Sequence, residues 1–116
     1  MKKMTREEAL RLVKEDGFQL EDVSVEFKKD KEVVMLAINT LNKANADSGS
    51  ILEFADESLK KDKEIVLAAV KSFGHNLEFA DESFRKDREI ILAAVKNYGR
   101  ALNYADQSFK KDKEIV

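Results

Sequence analysis

The 116-residue chain contains no cysteine, no proline and no tryptophan. Without cysteine it has no disulfide, no thiolate nucleophile and no cysteine metal site. Average usage would supply about six prolines in a chain this long. A chain with none is made of segments that proline would break, which points to an all-α fold. Charge of one sign is also missing: 21 basic and 23 acidic residues leave a net charge of -2, too little to attract nucleic acid or an anionic membrane globally. No apolar run, 65–70 and 90–95 included, is longer than six residues, far short of a membrane span. The charged start Met1-Lys2-Lys3-Met4-Thr5-Arg6-Glu7-Glu8 has no apolar core of the kind a signal peptide needs. These absences predict a single soluble, cytoplasmic domain.

Glycine is scarce as well, and its four positions organise what is present. Residues 52–76 read LEFADESLKKDKEIVLAAVKSFGHN and residues 77–101 read LEFADESFRKDREIILAAVKNYGRA, identical at 17 of 25 positions. Residues 102–116 open a further copy, and Leu20-Glu21-Asp22-Val23 with Phe27–Glu32 form an earlier, divergent one. Gly17, Gly49, Gly74 and Gly99 are spaced by 32, 25 and 25 residues. A fixed period of this length predicts stacked helical units, here a right-handed-type α-solenoid of short helical hairpins. The unit boundaries follow as 1–29, 30–61, 62–86 and 87–111, with 112–116 beginning another helix.

In each unit a first helix, A, starts at an aspartate (Asp30, Asp62, Asp87 or Asp112) able to cap its first turn. It ends at a glycine, read as a left-handed helix stop. A second helix, B, follows with Leu77, Ala80 and Phe84 on one stripe. The centre of helix A, Ile65-Val66-Leu67-Ala68-Ala69-Val70, is apolar nearly all round and predicts burial on several sides. In the first unit Thr5-Arg6-Glu7-Glu8 reads as a capping box. Glu8, Arg11, Glu15 and Asp16 stand where Ile65, Ala68, Ser72 and Phe73 stand later, the mark of an N-terminal capping repeat. At the other end Tyr104, Phe109, Ile115 and Val116 keep the apolar character of internal units. Either the stack continues in a longer chain or another molecule covers this end, which makes it a candidate for self-association. The seven extra residues before Gly49 predict a somewhat longer helix followed by an irregular loop after about Lys43.

The recurring pattern L-x-x-A-[DS]-x-x-[LF]-x-x-D-[KR]-E-[IV]-[IV]-L-A-A-V-K-x-x-G, carried by Leu52–Gly74 and Leu77–Gly99 with partial matches at Leu20–Ala37 and Leu102–Val116, resembles a tandem helical repeat known as domain-of-unknown-function family 4116. Asp56, Asp81 and Asp106 follow the alanine where that family often has serine. The resemblance implies a bacterial-type repeat used in arrays. It implies no activity and supplies no functional residues.

Chemistry-bearing constellations are few. The only histidine, His75, has Arg100, Ser50 and Phe18 as counterparts and no second metal-type neighbour in sequence. Neighbouring carboxylates such as Asp81-Glu82 point apart on a helix, and each precedes a basic residue by four: Asp56–Lys60, Glu57–Lys61, Asp81–Arg85, Glu82–Lys86 and Asp106–Lys110. No catalytic residue, metal site or cofactor is expected. The basic pairs Lys28-Lys29, Lys60-Lys61, Arg85-Lys86 and Lys110-Lys111 would align on stacking, but a solvated, salt-bridged face accounts for them better than nucleic acid does. The copies differ chiefly at the A-to-B turn. That edge, with Phe73, His75, Asn76, Tyr98 and Arg100, and Asn42 and Asn45 from the insertion, is the candidate protein-interaction edge. The expectation is a non-enzymatic interaction or scaffold module with a protein partner. Self-assembly through the C-terminal end is the alternative, and nucleic-acid binding ranks third.

Overall fold

The computed structural model describes residues 3–43 and 51–105, together with Gln107 and Phe109. Among these residues every regular element is helical. The α-helices are α1 (Arg6–Glu15), α2 (Val25–Lys28), α3 (Lys31–Lys43), α4 (Glu57–Lys60), α5 (Lys63–Ser72) and α6 (Arg88–Asn97). Short 3₁₀ segments, Gly17–Asp22, Ile51–Phe54, Gly74–Phe79, Glu82–Lys86 and Gly99–Tyr104, lie between and after them. The long helices pack in chain order, α1 on α3, α3 on α5 and α5 on α6, in a body 54 × 26 × 16 Å across. No helix among the described residues is long and apolar enough to cross a membrane.

The long helices begin where their caps predict. Asp62 Oδ1 accepts from the backbone N–H of Glu64 at 3.0 Å and Ile65 at 3.3 Å, and Asp30 and Asp87 repeat this with the same distances. In α1 Thr5 accepts from Glu8 N at 3.1 Å, but its hydroxyl then donates to the Glu8 carboxylate at 3.3 Å. The reciprocal arm of the capping box is therefore turned toward the side chain. Helix α3 has 13 residues against 10 in α1, α5 and α6, the lengthening expected from the insertion. Residues 44–50, including Asn45 and Gly49, lie outside the described residues.

Two expectations are corrected. None of Gly17, Gly74 and Gly99 has a left-handed backbone. Helices α1, α5 and α6 end instead on an extended residue, Asp16, Phe73 or Tyr98, whose N–H closes onto Leu12, Ala69 or Ala94. What requires glycine is space. A Cβ on Gly17 would stand 2.3 Å from the Ala37 carbonyl oxygen, and one on Gly74 would stand 2.3 Å from that of Ala94. Gly17 and Gly74 thus each receive the backbone of the next long helix, whereas Gly99 meets no described residue within 4 Å.

Helix B is also not one helix. After Leu77 the chain turns extended at Ala80 and Asp81, and Asp81 re-caps by accepting from Ser83 N at 3.1 Å and Ser83 Oγ at 2.6 Å. Asp56 does the same with Ser58. The break frees a backbone donor for the preceding unit: Asp56 N bonds Lys28 O, and Asp81 N bonds Lys60 O, both at 3.0 Å. Local Asp–Ser capping outcompetes helix continuation because it satisfies the same groups and adds a bond between units.

The core is a ribbon of small and branched residues running through all these contacts. Counting from the N-cap aspartate, positions three, four and seven are buried in α3, α5 and α6: Val33, Val34 and Ala37; Ile65, Val66 and Ala69; Ile90, Ile91 and Ala94. Leu20, Leu52 and Leu77 close the ribbon from the 3₁₀ side.

Candidate interaction surface

The turn edge assembles a ring cluster around His75. Its imidazole stacks on Phe73 at 5.7 Å between centroids and meets Phe79, Tyr98 and Tyr104 edge-on at 6.3, 5.8 and 5.6 Å. Phe73 and Tyr98 also touch each other, at 5.6 Å. His75 Nε2 lies 2.7 Å from a Glu78 carboxylate oxygen, with the imidazole side chain 30% exposed. Burial, followed by the nearby Glu78 charge, holds the Tyr104 hydroxyl above the usual tyrosine range. Tyr104, expected at the C-terminal end, thus joins the turn-edge residues Phe73, His75 and Tyr98. Arg100 is exposed beside them.

Asn76 does not belong to this surface. It is 1% exposed, and its amide donates to Ala69 O at 3.0 Å and Phe73 O at 2.9 Å. Its Oδ1 accepts from Leu52 N at 3.0 Å. The side chain closes the end of α5 and ties it to the preceding 3₁₀ segment, where the backbone N–H of buried Leu52 finds in Asn76 its partner among the described residues. Asn97 stitches from the other side, its Oδ1 accepting from Gly74 N at 2.6 Å. Much of the variation between copies at this edge is therefore a change of structural stitch. Asn42 lies within α3 with its side chain outside the described part, Ile115 and Val116 are not described, and Phe109 is half-buried.

The charged groups are arranged differently from the helix-internal pairs expected. Asp56 and Asp81 hold their serines, and the basic partners stand outside ion-pair range; Lys60 pairs with Glu57 instead, at 3.1 Å. The dominant ion pairs form a ladder between units. Arg6 reaches Asp30 at 2.6 Å and Glu32 at 2.8 Å, Lys31 reaches Asp62 at 3.0 Å and Glu64 at 3.1 Å, and Lys63 reaches Asp87 and Glu89 at 3.0 Å each. Asp62 and Asp87 each use Oδ1 for their own helix and Oδ2 for the preceding one, while Asp30 Oδ1 caps its own helix and also accepts from Arg6 at 3.2 Å. The guanidinium hydrogen bond of Arg6 holds Asp30 below the usual carboxylate range. At Asp62 and Asp87 burial opposes ionisation, and the lysine and backbone bonds outweigh it. Of the basic pairs, Lys28, Lys60 and Arg85 are half-buried, while Lys29, Lys61 and Lys86 are exposed, so they do not form one continuous ridge of free cations.

A second surface went unrecognised in the sequence. Five and six residues after their caps, α3, α5 and α6 carry Met35-Leu36, Leu67-Ala68 and Leu92-Ala93, all only partly buried. Here the apolar-all-round helix is left uncovered. Between α3 and α5 these residues line adjoining hollows of about 480 and 340 Å³, and a hollow of about 510 Å³ lies along Leu92 and Ala93 with Lys71 on its rim. Glu32, Glu64 and Glu89 run along one margin, all held by the ladder, and Asn39, Lys71 and Lys96 along the other. The sequence signal was the run I-V-L-A-A-V itself, whose third and fourth positions the neighbours only partly cover.

Among the described residues no three His, Cys, Asp or Glu side chains converge as a metal site would require. A model of a domain of unknown function, DUF4116, matches residues 5–46, 41–85 and 87–116. No curated protein and no solved structure matches the chain. With that model covering nearly the whole length, the chain belongs to the DUF4116 family.

Proposed function

We propose that the chain is a non-enzymatic protein-interaction module, an α-solenoid of units about 25 residues long whose partner lies across the outer face of α3, α5 and α6. The observation that carries this is the row of Met35-Leu36, Leu67-Ala68 and Leu92-Ala93, left partly exposed in hollows while adjacent positions of the same helices are buried. Grooves between parallel helices with apolar floors and charged rims suit a peptide segment of another protein. The test is selection of a phage-displayed library of random helical peptides against the folded chain. Peptides whose binding is lost on Leu67→Glu and Leu92→Glu, with far-UV circular dichroism unchanged, support the reading. A selected pool indifferent to both changes overturns it.

The turn edge is a second reading, favoured by the ring cluster around His75 with Arg100 exposed beside it. In the same selection it predicts peptides that depend on Tyr98 and Arg100 and ignore Leu67.

A further inference from the structure

The two margins of the outer face are not equivalent. Glu32, Glu64 and Glu89 sit on one side, and each is already engaged by the basic residue that starts the preceding long helix, Arg6, Lys31 or Lys63. Lys71 and Lys96 sit on the other, exposed, and among the described residues no carboxylate lies within 4.0 Å of either. Lys71 rims the hollows on both sides of α5, and Lys96 rims the one along Leu92. Lys14 holds the same place on α1 and is also exposed and unpaired. The charge left for a partner on this face is therefore a cationic line parallel to an apolar floor.

Resting on the reading of this face as a contact surface, we propose that its partner is an acidic amphipathic protein segment. It lays apolar side chains on Leu36, Leu67 and Leu92 and carboxylates against Lys71 and Lys96. Packed helices stand about 8–10 Å apart, close to two turns of a helix. A partner helix crossing the array presents one apolar and one acidic residue per step at that spacing. Complementary charge of this kind sets which partner binds and in which register, while the floor supplies the burial. The glutamate margin argues against a polyanion such as nucleic acid, which would have to lie over Glu64 and Glu89 as well as over the lysines.

The same peptide selection tests this when repeated on K71E/K96E, two exposed changes that leave the core untouched. Peptides selected on the parent chain are expected to be enriched in Asp and Glu, to weaken with added salt, and to lose on the order of tenfold in affinity on K71E/K96E. The pool selected on the variant is expected to shift toward Lys and Arg. Peptides that need Leu67 and Leu92 but show no acidic enrichment, or no response to the charge reversal, overturn the acidic partner and leave the surface standing. Peptides indifferent to the leucines as well overturn both.

Discussion

Two glycines one unit apart, at the same position of the pattern, should respond to alanine in opposite directions. At Gly74 the added Cβ would stand 2.3 Å from the Ala94 carbonyl oxygen, 2.8 Å from Tyr98 Cβ and 3.1 Å from the Ala94 carbonyl carbon. The first of these is a backbone atom inside α6, held by the N–H of Tyr98 at 2.8 Å, so no side-chain rotation relieves it. Either α5 and α6 separate by close to an ångström or the end of α5 deforms. Overpacking of this kind costs typically about 1–3 kcal/mol and occasionally more, and backbone involvement places Gly74→Ala near the upper end, about 3 kcal/mol. At Gly99 no described residue lies within 4 Å of an added Cβ and the backbone is not left-handed. Alanine there restricts the unfolded chain without a clash, which stabilises by about 0.4–1 kcal/mol.

Urea denaturation followed at 222 nm reads both changes as midpoint shifts at unchanged slope. In thermal melts about 4 °C per kcal/mol is expected for a chain of this size, so Gly74→Ala should melt about 12 °C lower and Gly99→Ala a few degrees higher. If both glycines served as left-handed helix stops, both alanine variants would lose stability alike. Equal losses would therefore refute the close-approach account, and so would a neutral Gly74→Ala.

Asn76→Ala should cost about 2 kcal/mol in the same assay, because it removes three buried or part-buried hydrogen bonds, to Leu52 N, Ala69 O and Phe73 O; a loss under about 0.5 kcal/mol, the scatter of ordinary surface changes, would remove the stitching role. Stability should also fall in acid. Asp30, Asp56, Asp62, Asp81 and Asp87 all ionise more readily folded than unfolded. Their contribution is complete above the unfolded carboxylate value near 3.9 and is lost as pH falls through the lower folded values. The raised Lys31 and Lys63 lose theirs only when pH rises through folded values above about 10.4. Melting temperature should therefore be level from about pH 5 to 9 and decline below about pH 4; a melting temperature unchanged down to pH 2 would show that these contacts carry no net stability.

What could be read from the sequence is what depends on near neighbours. The aspartate caps, the helix starts, the lengthened α3 and the all-helical class each follow from residues within a few positions of one another. The glycines misled because a left-handed stop and a close approach leave the same mark, a glycine just past a helix. Only the position of Ala37 or Ala94, twenty residues further on, separates the two. The ion pairs misled for a similar reason. Spacing along one helix favours Asp56–Lys60, yet Lys31 finds Asp62 and Glu64 on the next helix. A signal for that ladder was present: Arg6, Lys31, Lys63 and Arg88 each open a long helix, always followed by glutamate. Asn76 gave no such signal, since its counterpart one unit later is Ala101 and only burial reveals its work.

Helix α1 bears on why the outer face is apolar at all. It packs on α3 as α5 packs on α6, yet where α5 has Leu67-Ala68 it has Leu10-Arg11, and Arg11 is exposed. The packing arrangement thus accepts a charge six residues after the cap. Leu36, Ala68 and Ala93 are by contrast partly buried against the core, so packing uses part of each side chain and leaves the rest facing outward. Solubility would favour polar residues at all three, since contiguous exposed apolar surface invites association. The ladder and the small residues at position seven account for how the helices stack, and the ladder borders this row without covering it. An apolar strip that packing covers only in part and solubility opposes, bordered on one side by engaged acids and on the other by lysines with no carboxylate within 4.0 Å among the described residues, is the surface on which the proposed binding role rests.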